Sequence, residues 1–456
     1  MTTQTLRGLA THGAMHWRGD RASGSFGIDP CEEPTGSNCA EDPAFRNFIV
    51  AFEGLVGMDG TISENEMQLF ANFALQLMLP PNPIRDLDNS LLGDAALGEG
   101  VFGGPNAPNS DTITTCDGCH DLDPAAGFFG TSGDQTFEGE PQFMKIAHMR
   151  NLYTKIGMFG QSTGGPHTGE QVRGFGLLHD GSVDTILSFV RAPVFNLTND
   201  QQLQLEQFSL RFPTDLAPIV GQQVTLDANN GAGVNPRIDL MIDRASKVYD
   251  SLMLGGAVPE CDLVVKGSVA GEPRGWVRES HGQFRDDRDN LTTEAALRAL
   301  AVSEGPLTYT CAPPGSGTRM GVDRDQDESL DGVDNCPSAA NPLQQNFDAD
   351  SRGDACDPDD DNDGLLDAVE TNTGIFVSET NTGTDPFNSD SDGDGVDDLT
   401  EVSDPNRDPN INENPPLVPS TSPLGWTILI GGLFALGSIA ILQRRRGLPA
   451  QRTSSR

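Results

Sequence analysis

The residues best suited to redox chemistry in this sequence form the short motif Cys-Asp-Gly-Cys-His, from Cys116 to His120. Two cysteines at this spacing can add to the vinyl groups of haem, and the histidine that follows then ligates the iron. The competing interpretations are a chance match and a zinc site, but no second closely spaced Cys/His pair is present to complete a zinc site. The motif predicts haem c on Cys116 and Cys119, with His120 as an iron ligand.

Two features place this motif outside the cytoplasm. The six other cysteines fit three disulfides, which form in oxidising compartments, although six reduced thiols are the alternative. The predicted pairs are Cys31 with Cys39, Cys261 with Cys311, and Cys336 with Cys356. Residues 424–446 hold an uncharged apolar stretch that ends in three arginines. Its length suits a membrane span, and the arginines keep the tail cytoplasmic, so the preceding chain is expected to be exported.

The charge of the chain is concentrated near its C-terminal end. The net charge is -38 and the pI is about 4.2. Between Asp323 and Asp408 there are 26 acidic residues and three basic ones. This excess repels nucleic acid and anionic lipid, so neither is expected as a partner of this region. It suits metal ions, or a polycation, that neutralise the carboxylates.

The acidic region contains a repeated pattern of alternating carboxylates, "DRDQDESLDGVDNC", "DPDDDNDGLLDAVE" and "DSDSDGDGVDDLTE". Alternating carboxylates wrap hard cations, and glycine permits the sharp turn between them. The alternative is a disordered acidic tail. The predicted calcium ligands are Asp323, Asp325, Asp327, Asp331, Asp334, Asp348, Asp350, Asp359, Asp361, Asp363, Asp367, Glu370, Asp390, Asp392, Asp394, Asp398 and Glu401.

This spacing resembles thrombospondin type 3 repeats, a resemblance that implies calcium binding. Cys336 and Cys356 stand where that family joins successive units by a disulfide. The stretch "NPLQQNFDADSRGDAC" fits an intervening unit with Asn346 where aspartate is usual. Glu328 replaces the turn glycine of the first copy, so a weaker first site is expected.

A second resemblance concerns "FMKIAHMRNLYTKIGMFG", which is similar to a segment of bacterial di-haem cytochrome c peroxidases. It aligns Arg150 and Asn151 with an Arg-Asn pair of that family and Met158 with the methionine that ligates the electron-transferring haem. The later "GFGLLHDGSVDTILSFV" resembles the closing motif of the family. Ile156 and Gly157 stand where the family has Pro-Tyr before its methionine.

The opening of the chain extends this resemblance. "TQTLRGLATHGAMHWRGDR" is similar to the tail of the first haem domain of the family. We therefore expect the chain to be the C-terminal, electron-transfer half of a longer di-haem protein, with a first haem and a signal peptide preceding it. A stand-alone mono-haem protein is the alternative.

These features predict a mainly α cytochrome c-type domain, then a small β-containing domain, then calcium-binding loops and one transmembrane helix. The boundaries are a remnant of a first haem domain at 1–21, a cytochrome domain at 22–200, the β-containing domain at 222–318, calcium repeats at 323–404, a linker at 405–423 and the membrane or sorting segment at 424–446. Within the first half, Ser63 and Glu66 form a capping box that predicts the start of a helix.

The function predicted from these features is one-electron transfer by an exported, membrane- or surface-tethered c-type cytochrome. Its partners would be an electron donor or acceptor protein or a small redox substrate, the membrane through the C-terminal helix, and a sorting protease if the C-terminal segment is a sorting signal. Peroxidase-like activity would need the missing first haem domain. The alternative function is a calcium-dependent surface or adhesion protein in which a degenerate cytochrome domain is structural.

Overall fold

The computed structural model describes residues 5–11, 41–55, 57–110, 114–131, 146–157, 161–162, 169–170, 174, 176–178, 181 and 183–413. The chain divides into two compact units. The first unit ends at Pro342 and the second begins at Leu343. The first acidic repeat therefore belongs to the first unit, and the later repeats belong to the second.

The helices are short, and most lie in the first unit. They are α1 (Glu41–Arg46), α2 (Ile49–Gly54), α3 (Glu64–Leu75), α4 (Asp94–Gly103), α5 (Ile186–Val190), α6 (Asn199–Leu210), α7 (Gly231–Arg244), α8 (Glu294–Ser303), α9 (Gly317–Gly321) and α10 (Asp398–Val402). The capping box predicted for α3 is confirmed, since Ser63 and Glu66 each accept the backbone amide of the other. Helices α4 and α6 can pack closely because Gly98 has no side chain. A Cβ at that position would lie 2.0 Å from the backbone oxygen of Gln204.

The strands form one large sheet and three small hairpin pairings. They are β1 (Leu122–Asp123), β2 (Phe128–Phe129), β3 (Gln161–Ser162), β4 (Gly169–Glu170), β5 (Gln223–Leu226), β6 (Val248–Ser251), β7 (Gly256–Pro259), β8 (Asp262–Val269), β9 (Glu272–Arg278), β10 (Phe284–Asp286), β11 (Leu291–Thr292) and β12 (Leu307–Ala312). The large sheet has the order β11-β10-β9-β8-β12-β5, and every neighbouring pair is antiparallel.

Strand β12 shows the alternation of buried and partly exposed residues that is typical of a strand in a sheet. On β12 the side chains of Leu307, Tyr309 and Cys311 are buried at every second position, which is the period of a strand with one covered face. They share a hydrophobic core with Ile238 of α7 and Leu297 of α8. Strands β8 and β9 each have three consecutive buried residues, so both faces of the sheet are covered at its centre.

The prediction of a mainly α cytochrome c-type domain is wrong. The structure is 27% helical, and its largest core lies under a six-stranded antiparallel sheet. In the segment predicted to be the cytochrome domain, the described helices have at most 12 residues. The haem-type motif favoured helices by family resemblance, whereas the strands from 223 to 312 are set by their own alternating and β-branched sequence.

No helix of the described part of the chain is both long enough and apolar enough to cross a membrane. The predicted transmembrane helix at 424–446, like the linker beyond Glu413, lies outside the described residues.

A buried ion pair joins separate segments of the first unit. Arg150 is 0% exposed, and its guanidinium contacts the carboxylate of Asp215. It also donates to the backbone oxygens of Gly8 and Thr11, each at 3.0 Å. Asp215 in turn accepts the backbone amide of Leu79 at 2.9 Å. The pair therefore connects the N-terminal segment, the segment that follows α3 and the chain that leads into the large sheet.

Candidate metal centre

Three acidic loops share one backbone frame. We call them loop 1 (323–334, in the first unit), loop 2 (359–370) and loop 3 (390–401), both in the second unit. In each loop the fifth residue is an aspartate whose carboxylate accepts the backbone amide two residues later. The bonds are Ser329 to Asp327 at 2.7 Å, Leu365 to Asp363 at 2.7 Å and Val396 to Asp394 at 3.0 Å. These local hydrogen bonds fix the backbone conformation of each loop.

A second shared bond closes each loop. The ninth residue is an aspartate that accepts the backbone amide of the second residue. The bonds are Arg324 to Asp331 at 2.8 Å, Asp360 to Asp367 at 3.0 Å and Ser391 to Asp398 at 3.0 Å. The sequence predicted these three aspartates as calcium ligands, and the structure shows that one oxygen of each closes the loop. The recurrence of both bonds indicates that the three loops are copies of one structural unit.

The sixth residue of each loop turns the chain through the left-handed region. Gly364 has φ +97° and Gly395 has φ +93° at this position. Glu328 takes the same place in loop 1 with φ +81°, a conformation that side-chain-bearing residues rarely adopt. Loop 1 therefore keeps the shape of the other two at a conformational cost.

The loops gather their carboxylates into clusters that could hold a cation. In each cluster, one oxygen per residue lies within 4.8 Å of the others. The clusters are Asp323 with Asp325 and Asp327, Asp359 with Asp361 and Asp363, Asp390 with Asp392 and Asp394, and Asp363 with Glu370 and Asp398. An exposed acidic cluster can form without an ion, so the chemistry of the individual oxygens decides whether a cation fits.

Several buried carboxylate oxygens in loops 2 and 3 have no hydrogen-bond partner within the described residues. Glu370 is 4% exposed, and both Asp398 and Glu401 are 0% exposed. The unpartnered atoms are Asp359 Oδ1, Asp361 Oδ2, Asp363 Oδ2, Glu370 Oε2, Asp392 Oδ2, Asp398 Oδ2 and Glu401 Oε2. Burying an ionised carboxylate without a partner is strongly unfavourable. These oxygens fit a hard cation such as Ca²⁺, which takes six to eight oxygen ligands.

The same burial raises the pKa values of three of these carboxyl groups. Burial, opposed in part by a hydrogen bond from Thr384, raises the pKa of Glu370 to about 7. Burial also raises the pKa of Asp398 to about 6 and that of Glu401 to about 7. Without a cation, these groups therefore hold protons at a higher pH than ordinary carboxylic acids do, and bound calcium would favour the charged form.

We expect the calcium-free second unit to lose stability as the pH rises. The pKa of Glu370 is raised in the fold, so its contribution is fully present below 4.5 and lost as the pH passes about 7. Thermal unfolding of calcium-stripped protein at about pH 5 and about pH 7.5 measures this trend. Equal stability of the second unit at both values would contradict it. Saturating calcium is the control, because the bound cation favours the ionised carboxylates.

The cluster of Asp363, Glu370 and Asp398 joins two loops. The sequence assigned Asp398 to loop 3, but its carboxylate lies against two residues of loop 2. One oxygen of Glu370 is held by the hydroxyl of Thr384 at 2.9 Å, which orients the other oxygen. Asp398 is the first residue of α10, so that helix carries a ligand candidate for the preceding loop. Nothing in the repeat pattern of the sequence indicated this sharing.

The intervening unit between loops 1 and 2 is less complete. Asp348 and Asp350 lie together as predicted ligands, and the structure adds Asp357 to them. Asp354, which the sequence did not single out, accepts the backbone amide of Phe347 at 2.8 Å in the same way as the loop-closing aspartates. The missed residues follow the same spacing rule, counted from Asn346 instead of from an aspartate.

Loop 1 is attached to the large sheet. The backbone amide of Gly332 donates to the oxygen of Asp287 at 2.9 Å, just after β10. The ammonium of Lys266 on β8 and the guanidinium of Arg324 each lie 3.7 Å from the carboxylate of Asp331. Two basic side chains therefore neutralise part of the negative charge of loop 1. The remaining predicted ligand, Asp334, accepts the backbone amide of Cys336 at 2.7 Å.

The haem-type motif forms one tight turn in the first unit. The backbone amide of His120 donates to Cys116 at 2.8 Å, and that of Cys119 donates to the same oxygen at 3.2 Å. Both cysteines are half-buried. Nδ1 of His120 lies 2.8 Å from the backbone oxygen of Gly130. The predicted iron ligand Met158 lies outside the described residues.

The cysteine pairs are described in part. Cys261, just before β8, is bonded to Cys311 of β12, which ties two neighbouring strands of the large sheet. Cys336 and Cys356 are both disulfide-bonded. The predicted pair of Cys31 and Cys39 lies outside the described residues.

The chain is similar to two thrombospondins over short segments. The chain is 44% identical over 72 residues to Thrombospondin-1 of Xenopus laevis, which covers 12% of this chain and 6% of that protein. It is 62% identical over 34 residues to Thrombospondin-2 of Gallus gallus, which covers 8% of this chain and 3% of that protein. The chain thus spans a small fraction of the length of these relatives.

No family model and no solved structure matches the chain. The thrombospondin resemblance of the sequence is supported by these relatives. The resemblance to di-haem peroxidases has no support among the comparisons. The acidic loops are therefore the part of the chain for which the sequence, the geometry and the relatives agree.

Proposed function

We propose that this chain is a calcium-binding protein of the extracytoplasmic surface, in which cations order the acidic loops of the second unit. The observation that carries the proposal is the set of buried, unpartnered carboxylate oxygens on Glu370, Asp398 and Glu401. A folded chain tolerates such oxygens when a cation takes them as ligands. The thrombospondin relatives support the same assignment.

The surface location rests on chemistry that suits an oxidising, calcium-rich compartment. The described part of the chain contains a disulfide between Cys261 and Cys311, and further disulfide-bonded cysteines at Cys336 and Cys356. Disulfides persist mainly outside the cytoplasm. Extracellular calcium modules work with dissociation constants of about 10⁻⁴ to 10⁻³ M, which suits open, partly exposed loops such as these. Adhesion to another surface is the role that we assign to the cation-ordered unit.

Glu370→Gln tests the proposal. We expect calcium affinity of the second unit to fall at least about tenfold, because loss of even a supporting group around a metal costs about that much. The measurement is a competitive titration of the calcium-stripped full chain against a chelator of known affinity. The matched control is Glu379→Gln, which removes the same charge from an exposed glutamate of the same unit. Equal affinities of the two variants would contradict the role given to Glu370.

Covalent haem attachment is a second candidate function, favoured by one observation. Because the carbonyl of Gly130 can only accept, Nδ1 of His120 must be the protonated nitrogen, which presents Nε2 as the possible iron ligand. Cys116 and Cys119 would hold the haem and Met158 would be the second axial ligand. Bound haem would supply one-electron transfer, with a redox protein or small redox molecule as partner.

Haem content separates this second candidate from the first. The full chain is produced in cells that attach haem to exported cytochromes, and its pyridine haemochrome spectrum is recorded. We expect about one haem per chain, lost in the Cys116→Ala/Cys119→Ala variant. A protein that binds calcium but carries no haem after such production would leave the surface function intact and remove the redox function.

A further inference from the structure

The acidic region has very few basic side chains, and they differ in whether they contact the carboxylates of a loop. Between Asp323 and Asp408 the three basic residues are Arg324, Arg352 and Arg407. Arg407 reaches into loop 3, while Arg352 is exposed and makes no ion pair with any residue that the structure describes. Of Arg352 and Arg407, both in the second unit, Arg407 therefore lies at a candidate metal loop and Arg352 does not.

Arg407 contacts two carboxylates that a cation in loop 3 would use. One guanidinium nitrogen lies 2.9 Å from Glu401 Oε1 and 3.3 Å from Asp394 Oδ2. The side chains of Asp394 and Glu401 are 0% exposed, whereas that of Arg407 is 28% exposed. Arg407 therefore approaches from the solvent side and neutralises buried acids from outside. It also lies 3.7 Å from Glu413, which offers it another partner beyond the loop.

Loop 2 has no such contact. Among the described residues, no lysine or arginine lies within ion-pair distance of its acids, which include Asp359, Asp361, Asp363 and Glu370. Its buried oxygens nevertheless lack partners in the same way as those of loop 3. The two loops share one backbone frame and differ in this tethered charge.

We propose that Arg407 is a tethered cation that occupies the carboxylates of loop 3 when calcium is absent and is displaced when calcium binds, so that loop 3 binds calcium more weakly than loop 2. This inference rests on the calcium function proposed above and adds a regulation to it. A calcium ion and the guanidinium of Arg407 repel each other when both contact Asp394 and Glu401, so the ion must displace the guanidinium. Arginine keeps its charge at all working pH values, so Arg407 remains a competitor for calcium at any of them.

The consequence is a graded response of the second unit. Loop 2 fills first, and loop 3 fills at a higher calcium concentration at which the ion replaces Arg407. The displaced guanidinium remains near Glu413 and can pair with it. Couplings of this kind typically change an affinity by about 5-fold to 150-fold.

The test uses a reporter inside loop 3 of the full chain. In a Val396→Trp background, the introduced tryptophan lies at the seventh loop position and sensitises terbium emission when the ion occupies loop 3. Calcium then displaces terbium, which gives the calcium affinity of that loop. Arg407→Gln is compared with Arg352→Gln, which removes the same charge from the same unit without touching a loop carboxylate. Arg407→Lys keeps the charge but loses the planar fork.

We expect Arg407→Gln to tighten calcium binding at loop 3 about tenfold and Arg407→Lys to fall between it and the parent. Arg352→Gln should match the parent. If Arg407→Gln does not fold without calcium, Arg407→Lys carries the test, and an affinity equal to or below that of the parent overturns the inference. A normal terbium signal with unchanged affinity in both Arg407 variants overturns it as well. Absence of terbium and calcium binding in the parent would instead overturn the calcium function.

Discussion

Removal of calcium is expected to make the second unit susceptible to trypsin at Arg352 and Arg407, the two basic residues between 343 and 413. A bound ion at a concentration 100-fold above its dissociation constant stabilises a fold by about 2.7 kcal/mol. For a unit of about 70 residues, each kcal/mol corresponds to a change in melting temperature of about 4–8 °C. Loss of one ion should therefore lower the melting temperature of the second unit by more than about 10 °C.

The measurement follows the rate of cleavage after each arginine by mass spectrometry, in calcium and in a chelator. Cleavage in the first unit, for example after Arg298 of α8, is the internal control, since Arg298 forms its ion pairs with Asp239 and Glu294 of that same unit. Magnesium at the same concentration tests ion selectivity. Equal cleavage rates at Arg352 and Arg407 with and without calcium would contradict the account.

Arg150→Met is expected to destabilise the first unit by about 3–5 kcal/mol, because it leaves the carboxylate of Asp215 buried without its counter-charge. The backbone oxygens of Gly8 and Thr11 lose a donor in the same substitution. Denaturant unfolding of the full chain, followed by the fluorescence of buried Trp276 in the sheet core, measures the change in the free energy of unfolding.

The matched control is Arg46→Met, since Arg46 pairs with Asp42 at 3.0 Å while both side chains are about a third exposed. That pair should contribute less than about 1 kcal/mol. The double variant Arg150→Met/Asp215→Leu should recover much of the loss, because it removes the unpaired buried charge as well. A loss for Arg150→Met no larger than that for Arg46→Met would show that the buried pair does not hold the segments together.

The repeat pattern of the acidic loops could be predicted from the sequence because their ligands are local. Asp359, Asp361 and Asp363 are two residues apart, and the loop frame follows from hydrogen bonds that span two to seven residues. The same locality made the capping box of α3 predictable from Ser63 and Glu66. Interactions of this range depend on short stretches of chain and leave a direct pattern in the sequence.

The contacts between distant residues could not be predicted in this way. Asp398 contributes to the cluster of loop 2 because α10 packs against that loop, where a Cβ on Gly364 would lie 2.8 Å from Leu399. Arg150 was interpreted through a family motif, but its partner Asp215 lies 65 residues away. The order in which the six strands pair is likewise a non-local property, and the sequence alone did not predict it.

The most direct test of the central claim is an equilibrium calcium titration of the calcium-stripped full chain by calorimetry. The account predicts saturable binding at dissociation constants of about 10⁻³ M or below, in two separable steps within the second unit, with loop 2 first. Glu370→Gln should weaken the tighter step at least about tenfold, while Glu379→Gln should leave both steps unchanged. No saturable binding up to about ten times that concentration would contradict the claim that cations complete the buried carboxylates of these loops.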